Sequence, residues 1–107
     1  MNRNVLVTGA SSGIGAATAI AFAKNGDNVG ITYNRKPDEA EQIAEKCRSY
    51  GVRAETFGGN ISDRAVVERI MKEFFEKFGT IDVLVNNAGG ALKMPEGGFE
   101  KMPLDYW

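Results

Sequence analysis

Residues 8–15 of the chain read Thr8-Gly9-Ala10-Ser11-Ser12-Gly13-Ile14-Gly15. This glycine-rich stretch lies between a short apolar run, Val5-Leu6-Val7, and an alanine-rich segment over residues 14–24. Glycines at such a junction permit a tight turn, a close approach of the backbone to a bound pyrophosphate, and close packing of helix on strand. The stretch therefore predicts a turn from a buried strand into a helix, whose N-terminal N–H groups can hold an anion.

Apolar runs and helical patterns alternate along the chain beyond this turn, which is typical of β-α-β units and a parallel sheet. We predict strands over residues 5–7, 28–33, 52–57 and 81–85, and helices over 14–24, 37–50 and 63–78. Pro37 suits a first helical turn, and Ser62 is the predicted N-cap of the third helix. We expect an α/β fold of the Rossmann type, a doubly wound parallel sheet with strand order 3-2-1-4, truncated after the fourth strand.

Composition and charge exclude several classes of protein. A chain of 107 residues has room for one domain, and its net charge of -1 gives no polybasic signal for nucleic acid or an anionic membrane. No apolar run reaches the roughly 18 residues of a membrane-spanning helix. The single cysteine, Cys47, cannot form an internal disulfide, which fits a cytoplasmic protein. Because there is no histidine, we expect no histidine metal ligand and no Ser-His or Cys-His nucleophile pair.

Two motifs carry a resemblance to a known family. Thr8, Gly9, Gly13 and Gly15 match the fingerprint T-G-x-x-x-G-x-G, and residues 86–89 read Asn-Asn-Ala-Gly, similar to a second motif, N-N-A-G. Both motifs resemble those of the short-chain dehydrogenase/reductase family, and the resemblance extends over nearly the whole chain. It implies an oxidoreductase that moves a hydride between a nicotinamide dinucleotide and a carbonyl or alcohol. The segment after the second strand, residues 34–40, suggests the 3-oxoacyl-acyl-carrier-protein reductase or glucose dehydrogenase type.

The resemblance implies cofactor contacts from both motifs. In the first motif and its turn, these contacts come from Gly9, Ser11, Ser12, Gly13, Ile14 and Gly15. In the second motif Asn86 ties the sheet together, and Asn87, Ala88 and Gly89 line the ribose and nicotinamide side. A physical rule agrees, because ligands of open parallel sheets bind past the carboxyl ends of the strands, where the strand order reverses.

The adenosine end of the cofactor is expected beside the second and third strands. At the position where NAD-binding members have an acidic residue the chain has Tyr33, followed by Asn34 and Arg35. With no carboxylate there and a guanidinium nearby, we predict NADP, with NAD as the alternative. The other interpretation of Arg35 is a solvated surface charge. Asn60 replaces the family's usual aspartate and could accept a hydrogen bond from the adenine amino group, while Ile61 could pack on the adenine face.

Catalytic residues are not found in the sequence. The resemblance implies a Ser-Tyr-Lys set with a Y-x-x-x-K motif, yet Tyr33 and Tyr50 have Pro37 and Ala54 four residues on, and only Trp107 follows Tyr106. We therefore expect residues 1–89 to be a dinucleotide-binding domain and residues 90–107 a loop tail leading to a missing catalytic half. An isolated chain of this kind would bind a cofactor without turnover. The alternative function is a non-catalytic dinucleotide-binding or structural module. The apolar edge of the fourth strand favours a homo-oligomer.

Overall fold

The computed structural model describes residues 2–10 and 13–87, and within them strands and helices alternate. The elements are β1 (Asn4–Thr8), α1 (Gly13–Lys24), β2 (Asn28–Tyr33), α2 (Pro37–Arg48), β3 (Ala54–Gly58), α3 (Arg64–Phe78) and β4 (Val83–Asn86). All strand pairs are parallel and the order is β3-β2-β1-β4. The predicted α/β class and strand order are therefore confirmed.

Both faces of the sheet are covered by helices, and successive residues of β1 point to opposite faces, as in any strand. Val5 and Val7 pack with alanines of α1 and α2, whose small side chains let these helices lie close to the sheet. Leu6 points to the other face, where it packs with Ile70 and Phe74 of α3. This two-sided burial explains why β1 reads as a continuous apolar run rather than an alternating one.

Several boundaries differ from the sequence prediction by one or two residues; α2, for example, ends at Arg48 rather than residue 50. The third strand begins at Ala54 rather than residue 52, and the fourth at Val83 rather than residue 81. The N-cap of α3 is Asp63, whose side chain accepts a hydrogen bond from the Ala65 N–H at 3.0 Å. Ser62 is therefore not the cap, because its own N–H and hydroxyl are directed to the side chain of Asn60.

Polar side chains join the amino ends of the four strands. The buried side chain of Asn4 donates to Thr80 Oγ1 at 3.1 Å and accepts from Asn28 Nδ2 at 3.0 Å. Asn28 Oδ1 in turn accepts the N–H of Arg53 at 3.0 Å, and the N–H of Asn4 donates to Asp82 Oδ2 at 2.8 Å. This amino-end network fixes the strands relative to one another at the edge opposite the glycine-rich turn.

Candidate functional site

The glycine-rich turn lies at the carboxyl end of β1, and its glycines show the predicted turn conformation and close packing. Gly9 and Gly13 have φ of 63° and 65°, a left-handed conformation that residues with a Cβ rarely adopt. Gly15 has a different role. A Cβ there would lie 2.8 Å from Asn87 Nδ2 and 2.9 Å from Ala10 Cα, and closer still to the Gly9 carbonyl oxygen. Only glycine at position 15 therefore lets α1 pack this closely against the turn.

Two neighbouring strands hold the turn in place. From β2, the buried Thr32 accepts the Gly9 N–H on its hydroxyl at 3.1 Å and the Ala10 N–H on its carbonyl oxygen at 3.2 Å. Just beyond β4, Asn87 Nδ2 donates to the Gly9 carbonyl oxygen at 3.4 Å. The two predicted motifs thus meet, although 78 residues separate Gly9 from Asn87 in the sequence.

These contacts determine which N–H groups remain for a ligand. Since Thr32 already takes the N–H groups of Gly9 and Ala10, an anion at the turn must use donors further along, at the N-terminus of α1. Ile14 lies in this first helical turn, and 77% of its side chain is exposed, which is unusual for a large apolar residue. The described part of the turn therefore offers a positive helix end beside an apolar surface.

Thr8 connects the turn to the second motif. Its fully buried side chain donates to Asn86 Oδ1 at 3.1 Å and accepts the Asn87 N–H at 3.0 Å. These bonds lie between β1 and β4, where the strand order reverses, and they fix the backbone that leads out of β4. Asn86 thus joins neighbouring strands, in agreement with the sheet-tying role that the resemblance implies for it.

The adenosine end is built from the carboxyl ends of β2 and β3. Tyr33 pairs with Gly58 in the sheet, and its ring lies over that glycine, since a Cβ on Gly58 would be 2.6 Å from the tyrosine oxygen. Asn34 and Arg35 follow and are exposed. The ammonium group of Lys36 is 3.9 Å from a Glu39 oxygen, a surface pair that contributes little to stability. Of this segment, Arg35 offers an exposed guanidinium at the edge where a ligand is expected.

Asn60 lies two residues beyond β3 and is exposed, but its amide oxygen is already used. Oδ1 accepts the Ser62 N–H at 3.0 Å and the Ser62 hydroxyl at 2.7 Å. This is the oxygen that the sequence prediction offers to an adenine amino group. Ile61 is half-buried and packs against the α3 side of the core, so only part of its side chain faces outward.

The structure adds two residues that the sequence analysis did not place in the site, Thr8 and Thr32. Thr8 belongs to the fingerprint itself, which is a signal for its role. Thr32 has no local signal, since its partners are 22 to 23 positions away in the sequence and only strand register brings them together. Four other predicted site residues, Ser11, Ser12, Ala88 and Gly89, lie outside the described residues, as does the predicted tail over 90–107.

Other reactive groups do not form a second centre within residues 2–10 and 13–87. Cys47 is buried in the core, and burial raises the pKa of its thiol, so the reactive thiolate is disfavoured. No three side chains of the types that ligate metals converge in this part of the chain. No helix among these residues is both long and apolar enough to cross a membrane.

Comparison with known proteins extends the match beyond the motifs. A 3-oxoacyl-acyl-carrier-protein reductase from Staphylococcus epidermidis is 42% identical over 89 residues, covering 83% of this chain and 36% of the relative. An acetoin dehydrogenase from Salmonella typhimurium superposes with a TM-score of 0.77 at 36% identity, over 100% of this chain and 43% of that one.

A second solved structure is a complex with a modified dinucleotide. An alcohol dehydrogenase from Thermococcus sibiricus, complexed with 5-hydroxy-NADP, has a TM-score of 0.74 at 33% identity, over 78% of this chain and 36% of that one. The chain spans about a third of the length of the curated relatives it matches. The family model for short chain dehydrogenases matches residues 3–107. With the fold, the glycine-rich turn and these relatives in agreement, the chain belongs to the short-chain dehydrogenase/reductase family of oxidoreductases.

Proposed function

We propose that this chain binds a nicotinamide dinucleotide across the carboxyl ends of its strands and forms the cofactor-binding part of a carbonyl reductase or alcohol dehydrogenase. When bound, the reduced cofactor would donate a hydride to a carbonyl substrate, or the oxidised cofactor would accept one from an alcohol. Gly13, Ile14 and Gly15 would hold the pyrophosphate, with Ser11 and Ser12 from the same turn, while Gly9, whose N–H is bound by Thr32, would line the turn beside it. Asn87, Ala88 and Gly89 would line the nicotinamide side, and Tyr33, Asn34, Arg35, Asn60 and Ile61 the adenosine side.

The observation that carries this proposal is the close approach of Gly15 to Gly9 and Asn87. A side chain at position 15 would clash with Gly9, Ala10 and Asn87 and would push the N-terminus of α1 away from the turn. Glycine keeps that helix end against the turn, where its N–H groups would meet a pyrophosphate. The backbone of Gly9 and Ala10 is held by Thr32 and Asn87, so this part of the turn needs no ligand to fix it.

We further propose NADP as the preferred cofactor. No carboxylate occupies residues 33–36, and Arg35 is exposed and can form two parallel hydrogen bonds to a 2′-phosphate. The solved relative described with 5-hydroxy-NADP supports this choice. NAD is the alternative, since Asp38 and Glu39 in the first turn of α2 bring negative charge into the same region.

Calorimetry with NADP and NAD tests both parts of the proposal. Arg35→Ala should weaken NADP binding about tenfold or more, the range of a charged hydrogen bond, and leave NAD nearly unchanged. Lys24→Ala is the matched control, because it removes one exposed positive charge at the other end of α1 and should alter neither affinity. Tighter binding of NAD by the parent, or an equal loss for both cofactors, would overturn the NADP assignment. No binding of either at millimolar concentration would overturn the function.

We expect catalysis only where a Ser-Tyr-Lys set completes the site. None of the three tyrosines has a lysine four residues on, so the 107-residue chain by itself should show no alcohol or ketone turnover. Turnover above that of a heat-treated sample, in protein free of host dehydrogenases, would contradict this expectation. We also propose a cytoplasmic location, where a reducing environment would keep the buried Cys47 a free thiol.

A further inference from the structure

We infer that Asn60 reads the nucleotide base as a hydrogen-bond donor, so that this site accepts a 6-oxopurine base as readily as adenine. The inference rests on the proposed dinucleotide binding and adds to it the base preference of the adenosine end.

The position of Asn60 follows from the direction in which a dinucleotide must lie. The pyrophosphate is expected at the turn after β1, and the ribose of the adenosine half beside the end of β2. Because β3 is the next strand outward, the base lies past the end of β3. Asn60 is the first side chain beyond two glycines, Gly58 and Gly59, at that end of β3, and it is exposed.

The orientation of the Asn60 amide follows from its partners. The Ser62 backbone N–H lies 3.0 Å from one of the two amide atoms, and a backbone N–H can only donate, so that atom is the oxygen. The Ser62 hydroxyl, at 2.7 Å, supplies a second donor to the same oxygen. Both lone pairs of Oδ1 are thus directed to the entry of α3.

The other amide atom, Nδ2, is left for the ligand. It is bonded to the same carbon as Oδ1 and points away from Ser62, and within residues 2–10 and 13–87 no acceptor lies within hydrogen-bond distance of it. An amide nitrogen donates and does not accept. Asn60 in this orientation can therefore donate to a base but cannot accept from the 6-amino group of adenine.

A donor at this position does not distinguish adenine from hypoxanthine, the corresponding 6-oxopurine base. Adenine presents N1 as an acceptor, and hypoxanthine presents the 6-oxygen as an acceptor on the same edge. An aspartate at position 60 would act differently, because its second oxygen would accept from the adenine amino group and repel the 6-oxygen of hypoxanthine. Asparagine differs from aspartate by one atom, a nitrogen in place of an oxygen. With asparagine at position 60 the site therefore loses the means to reject hypoxanthine.

The experiment compares the binding of NADP with that of its analogue carrying hypoxanthine in place of adenine, by calorimetry on the 107-residue chain. The parent should bind the two within about threefold, since a neutral donor has an acceptor on either base. Asn60→Asp should favour adenine by about tenfold or more, as expected when a charged hydrogen bond is exchanged for a repulsion. Ser62→Ala is the control, because the backbone N–H still holds Oδ1 and the ratio of affinities should stay that of the parent.

The outcomes separate this inference from the proposed function. A parent that already prefers adenine tenfold would overturn the donor assignment while leaving dinucleotide binding intact. An adenine preference that appears in Ser62→Ala would show that the backbone N–H does not hold the Asn60 amide. That result would also overturn the donor assignment. Failure of both dinucleotides to bind would overturn the proposed function, and this inference with it. The ratio of two affinities is insensitive to a general loss of stability, so a purely structural role of Asn60 would not produce the expected pattern.

Discussion

At the scale of single residues, the site depends on the lack of a side chain at Gly15. The space that a methyl group would need is filled by the Gly9 carbonyl, Ala10 and the Asn87 amide. These are backbone atoms and a side chain that is itself hydrogen-bonded, so none can move aside at little cost. The packing of α1 on the turn, and through Asn87 the link to β4, therefore require glycine here.

Gly15→Ala should destabilise the chain by about 1–3 kcal/mol, the usual cost of overpacking, and should weaken dinucleotide binding more than tenfold. Chemical unfolding and calorimetry give the two values. Ala17→Gly, at an exposed position of the same helix, should cost about 1 kcal/mol of stability through helix propensity and leave binding unchanged. Binding of NADP by Gly15→Ala with the affinity of the parent would mean that the close approach is not needed for the ligand.

A second residue-scale prediction concerns Asp27, which is buried and receives two hydrogen bonds from Arg3 at 3.1 and 2.9 Å. The hydrogen bond from Arg3 holds the pKa of this carboxyl below its usual value. Its contribution to stability is therefore fully present above the ordinary pKa of about 3.9 and is lost as the pH falls through the lower, folded-state value.

Asp27→Asn should accordingly be less stable than the parent by about 1 kcal/mol at pH 7, since the half-exposed Arg3 limits the gain from the pair. The difference should shrink steadily below about pH 4. Urea unfolding at a series of pH values measures it, with Glu76→Gln, at an exposed position of α3, as the control for loss of one negative charge. A difference that stays constant down to pH 2 would refute the role of the Asp27 carboxylate.

The sequence allowed part of the candidate site to be predicted, and the reason lies in how far each residue's partners are along the chain. Gly9, Gly13 and Gly15 belong to one turn, so their spacing in the sequence is sufficient to predict that turn. The hydrogen bonds of Thr32 depend on the register of β2 against β1, which no local pattern contains. The orientation of the Asn60 amide depends on the path of the backbone at Ser62, and composition alone leaves both orientations open.

At the scale of elements, hydrophobic patterning predicted every described strand and helix, but it placed some of their ends wrongly. Val52 is buried and was counted in the third strand, yet pairing with β2 begins at Ala54. Ile81 is apolar and packs on the α3 side of the core before β4 starts. Burial of a side chain and pairing of a backbone are separate properties, and an apolar run reports only the first.

The N-cap of α3 gives the prediction at this scale. Asp63→Ala should destabilise the chain by about 1 kcal/mol, because it removes the acceptor for the Ala65 N–H and a negative charge at the positive end of the helix. Ser62→Ala should cost less, since Ser62 is not the cap and its hydroxyl donates to the Asn60 side chain instead of holding a helix N–H. Thermal unfolding of the two variants compares them directly. A larger loss in Ser62→Ala would restore Ser62 as the principal capping residue.

At the scale of the whole molecule, β4 has a strand partner on one side only among the described residues, while Val83 and Val85 are half-buried. An apolar edge strand presents unpaired backbone groups to other chains. We expect the 107-residue chain to form a two-fold dimer at micromolar concentration, since that geometry covers the same edge in both copies. Size-exclusion chromatography with light scattering over a dilution series measures the mass. A monomer with strong amide-exchange protection in β4 would contradict this expectation.

The amino-end network has a consequence for the order in which the protein can fold. Asn4 is synthesised well before Asp82, which lies 78 residues later and accepts its N–H. β1 can pair with β2 early, but its other edge has no partner until β4 exists, so this central strand is half-paired during synthesis. Roughly 50 residues separate β2 from β4, which a ribosome needs about 3–10 s to add. For that time β1, whose five residues are all buried in the folded chain, has an open edge, and such long-range pairing is intrinsically slow. The nascent chain is thus most exposed to aggregation or chaperone capture while residues 34–82 are being made.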